Sequence, residues 1–190
     1  MPVSLSRRGL LGVGLLGGAL LVGVRLPLRP ARAAAAGPFT PNAFIRIDPQ
    51  GAITFIMPDT EFGQGIYTSA GMLIAEELEV GLDQVAFEAA PPDTGQYHTA
   101  LKAYVSPLLG EQATGGSTSI RGDWQRLRQA GAQVRTMLVA AAAQQWGVDP
   151  AACRAERAVV IGPDDKRAPY GTFAAAAAAQ PVPDKLPLKP

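Results

Sequence analysis

Hydrophobic and polar positions alternate at Phe44-Ile45-Arg46-Ile47 and again at Ile53-Thr54-Phe55-Ile56, and Asp48-Pro49-Gln50-Gly51 between them is a turn sequence. A hairpin is predicted. Past Pro58 the period lengthens, and Ile66, Ala70, Leu73, Ile74 and Leu78 recur at three and four residues as one apolar face of a helix that Gly81 should close. Val85-Ala86-Phe87 reads as a third strand, which gives residues 53–87 the order strand, loop, helix, strand, and Pro91-Pro92-Asp93 ends the unit. Residues 94–116 have little periodicity, the mark of a functional or unstructured loop. A second helical stripe, Ile120, Trp124, Leu127, Gly131, Val134, Leu138 and Ala141, makes the longest helix of the chain, with Ser117 or Thr118 as its N-cap and Gly147 beyond Trp146 as its stop. Val159-Val160-Ile161 and the turn Gly162-Pro163-Asp164-Asp165 predict another hairpin, and Tyr170-Gly171-Thr172-Phe173 opens a short alanine-rich helix. The fold class is α+β, with mixed strand and helix layers and one long helix.

Composition changes this picture at both ends. Of the 190 residues, the first 33 hold Arg7, Arg8, Arg25, Arg29 and Arg32 and no acid, so the formal charge of +1 hides an acidic remainder in which twelve basic residues face sixteen acidic ones. That balance argues against nucleic acid as a partner. Ser6-Arg7-Arg8-Gly9-Leu10-Leu11 sets a twin arginine before an apolar, glycine-rich run over residues 9–24, and Ala31-Arg32-Ala33 supplies the small residues of a cleavage site. Residues 1–33 are therefore read as a twin-arginine export signal, with an uncleaved membrane anchor as the competing reading. This route carries folded proteins, which points to a large cofactor inserted before export. Residues 34–180 make the domain, and residues 181–190, with four prolines, make a linker free of regular structure. The single Cys153 excludes an internal disulfide framework and a thiolate metal cluster, and is read as a small buried hydrophobe.

Candidate chemistry lies at the two helix starts. In Glu61-Phe62-Gly63-Gln64-Gly65-Ile66-Tyr67-Thr68, two glycines flank a glutamine where an extended segment meets a helix, so unpaired backbone N–H groups favour an anion and Gln64 adds donors and an acceptor. Thr114-Gly115-Gly116-Ser117-Thr118-Ser119 repeats the arrangement before the long helix. Together they predict two walls of an anion-binding cleft. No lysine follows either loop, which weakens a nucleotide hydrolase. His98 stands in the aperiodic loop without a second ligand nearby and is read as solvated, as Tyr97 and Tyr104 are read as possible pocket residues. Arg121, Arg126, Arg128 and Arg135 are read as a solvated face or as partners of nearby acids, and Trp124 as core.

The order of the twin-arginine signal, the Gly63-Gln64-Gly65 loop, Ala75-Glu76-Glu77-Leu78, the Gly115-Gly116-Ser117-Thr118 loop, Leu127-Arg128-Gln129-Ala130-Gly131-Ala132 and Tyr170-Gly171 resembles the start of exported molybdopterin-binding subunits of the xanthine dehydrogenase and aldehyde oxidase family. The similar branch holds the isoquinoline 1-oxidoreductase beta subunit and related membrane-associated aldehyde dehydrogenases. The resemblance implies molybdopterin cytosine dinucleotide as the molybdenum cofactor, bound through Gly63, Gln64, Gly65, Thr68, Gly115, Gly116, Ser117 and Thr118. It implies an oxidoreductase acting on an aldehyde or N-heterocycle at the periplasmic face, with electrons leaving through an iron–sulfur small subunit bearing 2Fe–2S clusters and, in this branch, a membrane-bound cytochrome c subunit. Complete subunits supply a later glycine loop and a basic glutamate that have no counterpart here, so an N-terminal fragment without its own catalytic or metal-ligating residue is expected. Glu76 and Glu77 are read as flanking their helix. The rival from another class is a non-enzymatic periplasmic binding or assembly module.

Overall fold

The computed structural model describes residues 39–92 and 102–190. The segment read as an export signal, His98 and Tyr97 lie outside the described residues. Strands β1 (Phe39–Asn42), β2 (Ile45–Ile47), β3 (Ile53–Met57) and β4 (Val85–Ala89) form a sheet in that order. The β1–β2 and β2–β3 pairs are antiparallel, whereas β3 and β4 are parallel because helix α1 (Ile66–Leu78) carries the chain back between them. The β2–β3 turn is closed by Asp48, whose Oδ1 accepts from the Ala52 N–H at 2.8 Å while its carbonyl accepts from Gly51 at 3.0 Å. The long helix α2 (Ser119–Trp146) packs along α1, and a second antiparallel sheet of β5 (Arg154–Glu156), β6 (Val159–Ile161) and β7 (Arg167–Pro169) leads into α3 (Tyr170–Ala178). The arrangement is α+β.

One core joins these layers. Ile45 and Ile47 from β2, and Ile53, Phe55 and Met57 from β3, meet Ile74 and Leu78 of α1, Leu127, Val134 and Leu138 of α2, and Phe173 of α3. Each side chain comes from the face that period two or period 3.6 assigns to the interior. Tyr170 is buried with its hydroxyl donating to the Leu78 carbonyl at 2.7 Å, and burial raises its pKa. Tyr104 belongs to this core and not to a pocket: its hydroxyl donates to the Ala43 carbonyl at 2.7 Å and its ring meets Phe44 edge-on.

Several expectations are corrected. Helix α1 ends at Glu79, which takes the left-handed cap at φ 60, and not at Gly81. The strain is held by neighbours, because the Glu79 carbonyl accepts from the Ala158 N–H at 3.0 Å and its carboxylate lies 2.7 Å from Lys189 Nζ. Trp124 is 47% exposed, with the Arg128 guanidinium 5.5 Å from its ring centre. The inward position at that turn belongs to Asp123, and Trp124 sits on the flank of the stripe. Glu77 does not flank its helix in solvent but is fully buried against Arg128, with Nη2 to Oε1 at 2.6 Å. β1 and β5, at four and three residues, are too short for alternation to mark them; Pro41 is tolerated because β1 is an edge strand.

Residues 181–190 contain no helix or strand, but they lie against α1 and α2. Gln129 donates to the Leu186 carbonyl at 2.8 Å and accepts from its N–H at 3.0 Å, Gln133 donates to the Pro183 carbonyl at 2.7 Å, and the Lys189 N–H donates to Glu77 at 3.1 Å. Proline's missing donors are no handicap in such a strap, since the helix side chains bond to its carbonyls.

Gly131 sets how closely the two helices approach. A Cβ there would lie 2.5 Å from the Ile74 carbonyl oxygen and 2.9 Å from Glu77 Cβ, and backbone cannot yield as a side-chain tip does. Gly131→Ala gains about 1 kcal/mol of helix propensity, against an overpacking cost of about 1–3 kcal/mol. The expected outcome is a net loss of stability, read as a lower midpoint in urea; an unchanged or higher midpoint would show that the helices part freely.

Candidate functional site

The first glycine loop is organised by Glu61. Its Oε1 accepts from the N–H groups of Gly63 at 2.8 Å and Gly65 at 3.1 Å, and Oε2 accepts from Tyr67 at 3.1 Å. The carboxylate thus occupies the start of α1, where unpaired amides and the helix dipole favour a negative charge. The Tyr67 amide, followed by that of Gly65, holds the Glu61 pKa below its ordinary value. Gly63 and Gly65 take φ 101 and 82, which lets the loop fold around this carboxylate. Gln64 closes the same turn, with Oε1 accepting from the Phe62 N–H and Nε2 donating to the Thr60 carbonyl, both at 2.8 Å. The expectation of an open anion site at this helix start is therefore corrected, because the protein supplies its own anion.

The second loop is built differently. Gly116 and Ser117 both lie in the left-handed region, at φ 60 and 54, and Thr118 takes the N-cap position of α2. No side chain caps this helix. The expected hydroxyl cap is absent because Thr118 Oγ1 donates backward to the Gly115 carbonyl at 2.7 Å. Among the described residues the first-turn amides of α2 have no side-chain partner, while Ser117 and Ser119 stand beside them.

A cleft of about 440 Å³ separates the two loops, lined by Phe62, Gln64 and Ile66 on one side and by Thr114, Gly115, Gly116, Ser117, Ser119 and Ile120 on the other. Of the sequence-predicted residues, Gln64, Gly115, Gly116 and Ser117 line it. Gly63, Gly65, Thr68 and Thr118 do not, and Thr68 is exposed on the first turn of α1. Among the described residues, the lining carries no charged side chain. The two walls are joined at their base by Thr114, whose Oγ1 accepts from the Thr60 N–H at 2.8 Å and donates to Asp59 Oδ1 at 3.3 Å. Sequence reasoning passed over Asp59, Glu61 as a cap, and Thr114 as a tie; an acid two residues before a Gly-x-Gly helix start was the available signal for Glu61.

Residues 6–188 match the molybdopterin cofactor-binding domain. The chain belongs to that family. Among curated relatives of this family member, the isoquinoline 1-oxidoreductase subunit beta of Brevundimonas diminuta is 31% identical over 97% of this chain and 23% of its own length. The membrane-bound aldehyde dehydrogenase (pyrroloquinoline-quinone) of Gluconacetobacter polyoxogenes is likewise 31% identical, over 98% of this chain and 24% of its own. The chain thus spans about a quarter of the length of these relatives. Among solved structures, CO dehydrogenase from Oligotropha carboxidovorans superimposes with a TM-score of 0.50 at 21% identity, covering 75% of this chain and 18% of that one, a likeness of fold.

The Glu61 cap makes a testable statement about this molybdopterin-binding domain. A carboxylate with a depressed pKa contributes its full stabilisation above the unfolded value of about 4.3 and loses it as pH falls through the lower folded value. In Glu61→Ala the amides of Gly63, Gly65 and Tyr67 should exchange with deuterium faster at neutral pH than in the parent, while those inside α2 keep their protection. Unaltered exchange at the three amides would show that the carboxylate does not hold the loop.

Proposed function

We propose that the cleft binds the anionic part of a molybdopterin cofactor and that the chain is the cofactor-binding portion of a molybdenum hydroxylase subunit. The observation that carries this reading is the contrast between the helix starts facing the cleft. The α1 start is neutralised by Glu61, whereas the α2 start has no side-chain cap and adjoins two serine side chains and a glycine pair. Such a wall suits a phosphate or another multiply charged oxyanion. The glycine backbone allows close approach, since a Cβ at Gly115 would meet nothing within 4 Å. Gln64 faces it across the cleft with a second Nε2–H beyond the one given to Thr60.

When bound, the cofactor supplies the redox and oxygen-transfer chemistry at molybdenum. The chain's residues hold it: Gly115, Gly116 and Ser117 with the first-turn amides of α2 on one side, and Gln64 on the other, in the cytosine dinucleotide form suggested by the sequence resemblance. Among the described residues no carboxylate lines the cleft, and the chain's part in the site is to bind the cofactor. The substrate class is an aldehyde or an N-heterocycle, in keeping with the names of the curated relatives. An iron–sulfur subunit, and a membrane-bound cytochrome c beyond it, would accept the electrons. The periplasm is the proposed site of action, from the twin arginine at Arg7 and Arg8.

Two measurements test this reading. In the complete subunit, Gln64→Ala should weaken cofactor binding by about 1–3 kcal/mol if a buried partner is left unpaired. Gly116→Val should do more harm, because a branched side chain strains the left-handed backbone there and enters the cleft. Molybdenum and released cytosine nucleotide are measured per subunit beside circular dichroism; full cofactor content in both variants with native spectra would overturn the assignment. For localisation, Arg7→Lys with Arg8→Lys should retain the protein in the cytoplasm, since lysine does not reproduce the guanidinium fork. Equal periplasmic amounts of parent and variant would remove the export argument.

A further inference from the structure

Beneath the cleft lie two buried carboxyl groups that the hydrophobic pattern does not mark. Asp59, just beyond β3, is 7% exposed, and Asp123, near the start of α2, is 2% exposed. Asp59 Oδ1 has its donor in Thr114, but Asp59 Oδ2 is buried and meets no donor among the described residues. The group that faces Asp59 from α2 is the carboxyl of Asp123. Arg126 completes the cluster. Its Nε lies 2.6 Å from Asp123 Oδ1 as an ionic contact, without the alignment of a hydrogen bond, and its Nη1 donates to the carbonyls of Ala103 and Val105, both at 2.8 Å.

Two ionised carboxylates facing each other out of water repel, and neither offers a hydrogen to the other. A single retained proton removes both difficulties. It neutralises the cluster, since one guanidinium balances one carboxylate, and it supplies the donor that Asp59 Oδ2 lacks. We propose that Asp123 keeps its proton and donates it to Asp59 Oδ2, the two acting as positioning residues that lock the wall carrying the first glycine loop to α2 and so set the width of the cleft. The connection reaches both walls directly: Asp59 bonds Thr114, Thr114 precedes Gly115, and Thr114 also holds the Thr60 amide. The effect on cofactor retention rests on the function proposed above; the lock itself does not.

The charged and titratable groups facing the pair are Arg126 from α2, Glu61 from the loop and Tyr67 from α1, whose hydroxyl feels both Asp59 and Glu61. Burial, aided by Asp59 and opposed by Arg126, holds the Asp123 pKa above its ordinary value. A raised carboxyl pKa contributes stability that is complete below the unfolded value of about 3.9 and is lost as pH climbs through the folded value.

The test uses the full chain. Infrared spectra recorded above the ordinary carboxylate values of about 3.9–4.3 should retain a protonated carboxyl band after exposed acids have ionised. Asp123→Asn and Asp59→Asn should each remove it. Asp123→Asn, whose amide donates without needing a proton, should keep the parent melting temperature and lose the fall in that temperature with rising pH. Asp123→Leu, of similar size but with no donor, should melt lower. Absence of the band, or one pH profile shared by parent and Asp123→Asn, overturns the proposal; if Asp123→Leu fails to fold, the band and the Asn profile still decide. Molybdopterin bound per chain is measured separately. Equal retention by Asp123→Asn and a folded Asp123→Leu, with the band behaving as expected, would leave the acid pair standing and overturn the role of the cleft.

Discussion

A fully buried carboxylate, Glu77, fixes the crossing on which the other layers rest. It sits where α1 meets α2 at their closest approach, with Gly131 opposite. A carboxylate in that position is tolerable only with its oxygens occupied. Arg128 donates to Oε1 through Nε at 3.0 Å and Nη2 at 2.6 Å, the Lys189 N–H donates at 3.1 Å, and Arg135 lies 3.8 Å from Oε2. Removing one partner of such a buried pair typically costs about 3–5 kcal/mol. The missing side chain at Gly131 and the charge at Glu77 therefore work together: one admits the close approach, and the other selects a single rotation and register for it. β3 and the first glycine loop are attached to α1 and the second loop to α2, so the spacing of the cleft walls follows from this crossing.

The elements with a strong period were legible in the sequence. Both long helices and the β2–β3 hairpin stand where alternation and spacing put them, because each buries one continuous face, and β4 and the Gly147 stop also fall at their expected positions. What escaped has a different physical basis. β1, with Pro41 inside it, pairs along an edge through backbone bonds that leave no apolar signature. Glu79 ends α1 in a conformation that glycine usually supplies, held by tertiary contacts to Ala158 and Lys189 that lie far off in the chain. Asp123 and Glu77 occupy inward helix positions that a hydrophobic count scores as polar gaps. Long-range pairing is invisible to local period, and Glu77 depends on it through Arg128 and Lys189, whereas Asp123 has Arg126 one turn on.

The two glycine loops looked equivalent as strings of residues, and the structure separates them. At the first, an acid from the loop itself reaches the amides, which makes Gly63-Gln64-Gly65 a preformed turn that presents Gln64 and Phe62 toward the cleft. At the second, the hydroxyl that would cap the helix bonds backward to Gly115, and the dipole of the longest helix stays open toward the cleft. An anionic ligand that bound both helix starts equally would have to displace Glu61 and accept its repulsion. The geometry instead favours a ligand with one charged end at α2 and a neutral, hydrogen-bonding edge at Gln64.

The same asymmetry extends to protons. Glu61 sits in a ring of donors that lowers its pKa, whereas Asp123 sits in a desolvated site that raises its own, so the two carboxyls respond to pH with opposite sign. Acidification weakens the cap on the first loop as it completes the lock beneath it, and rising pH does the reverse. On the proposed acid pair, the cleft is held from both sides: the Glu61 cap forms as its carboxyl ionises, and the lock beneath it persists while Asp123 keeps its proton.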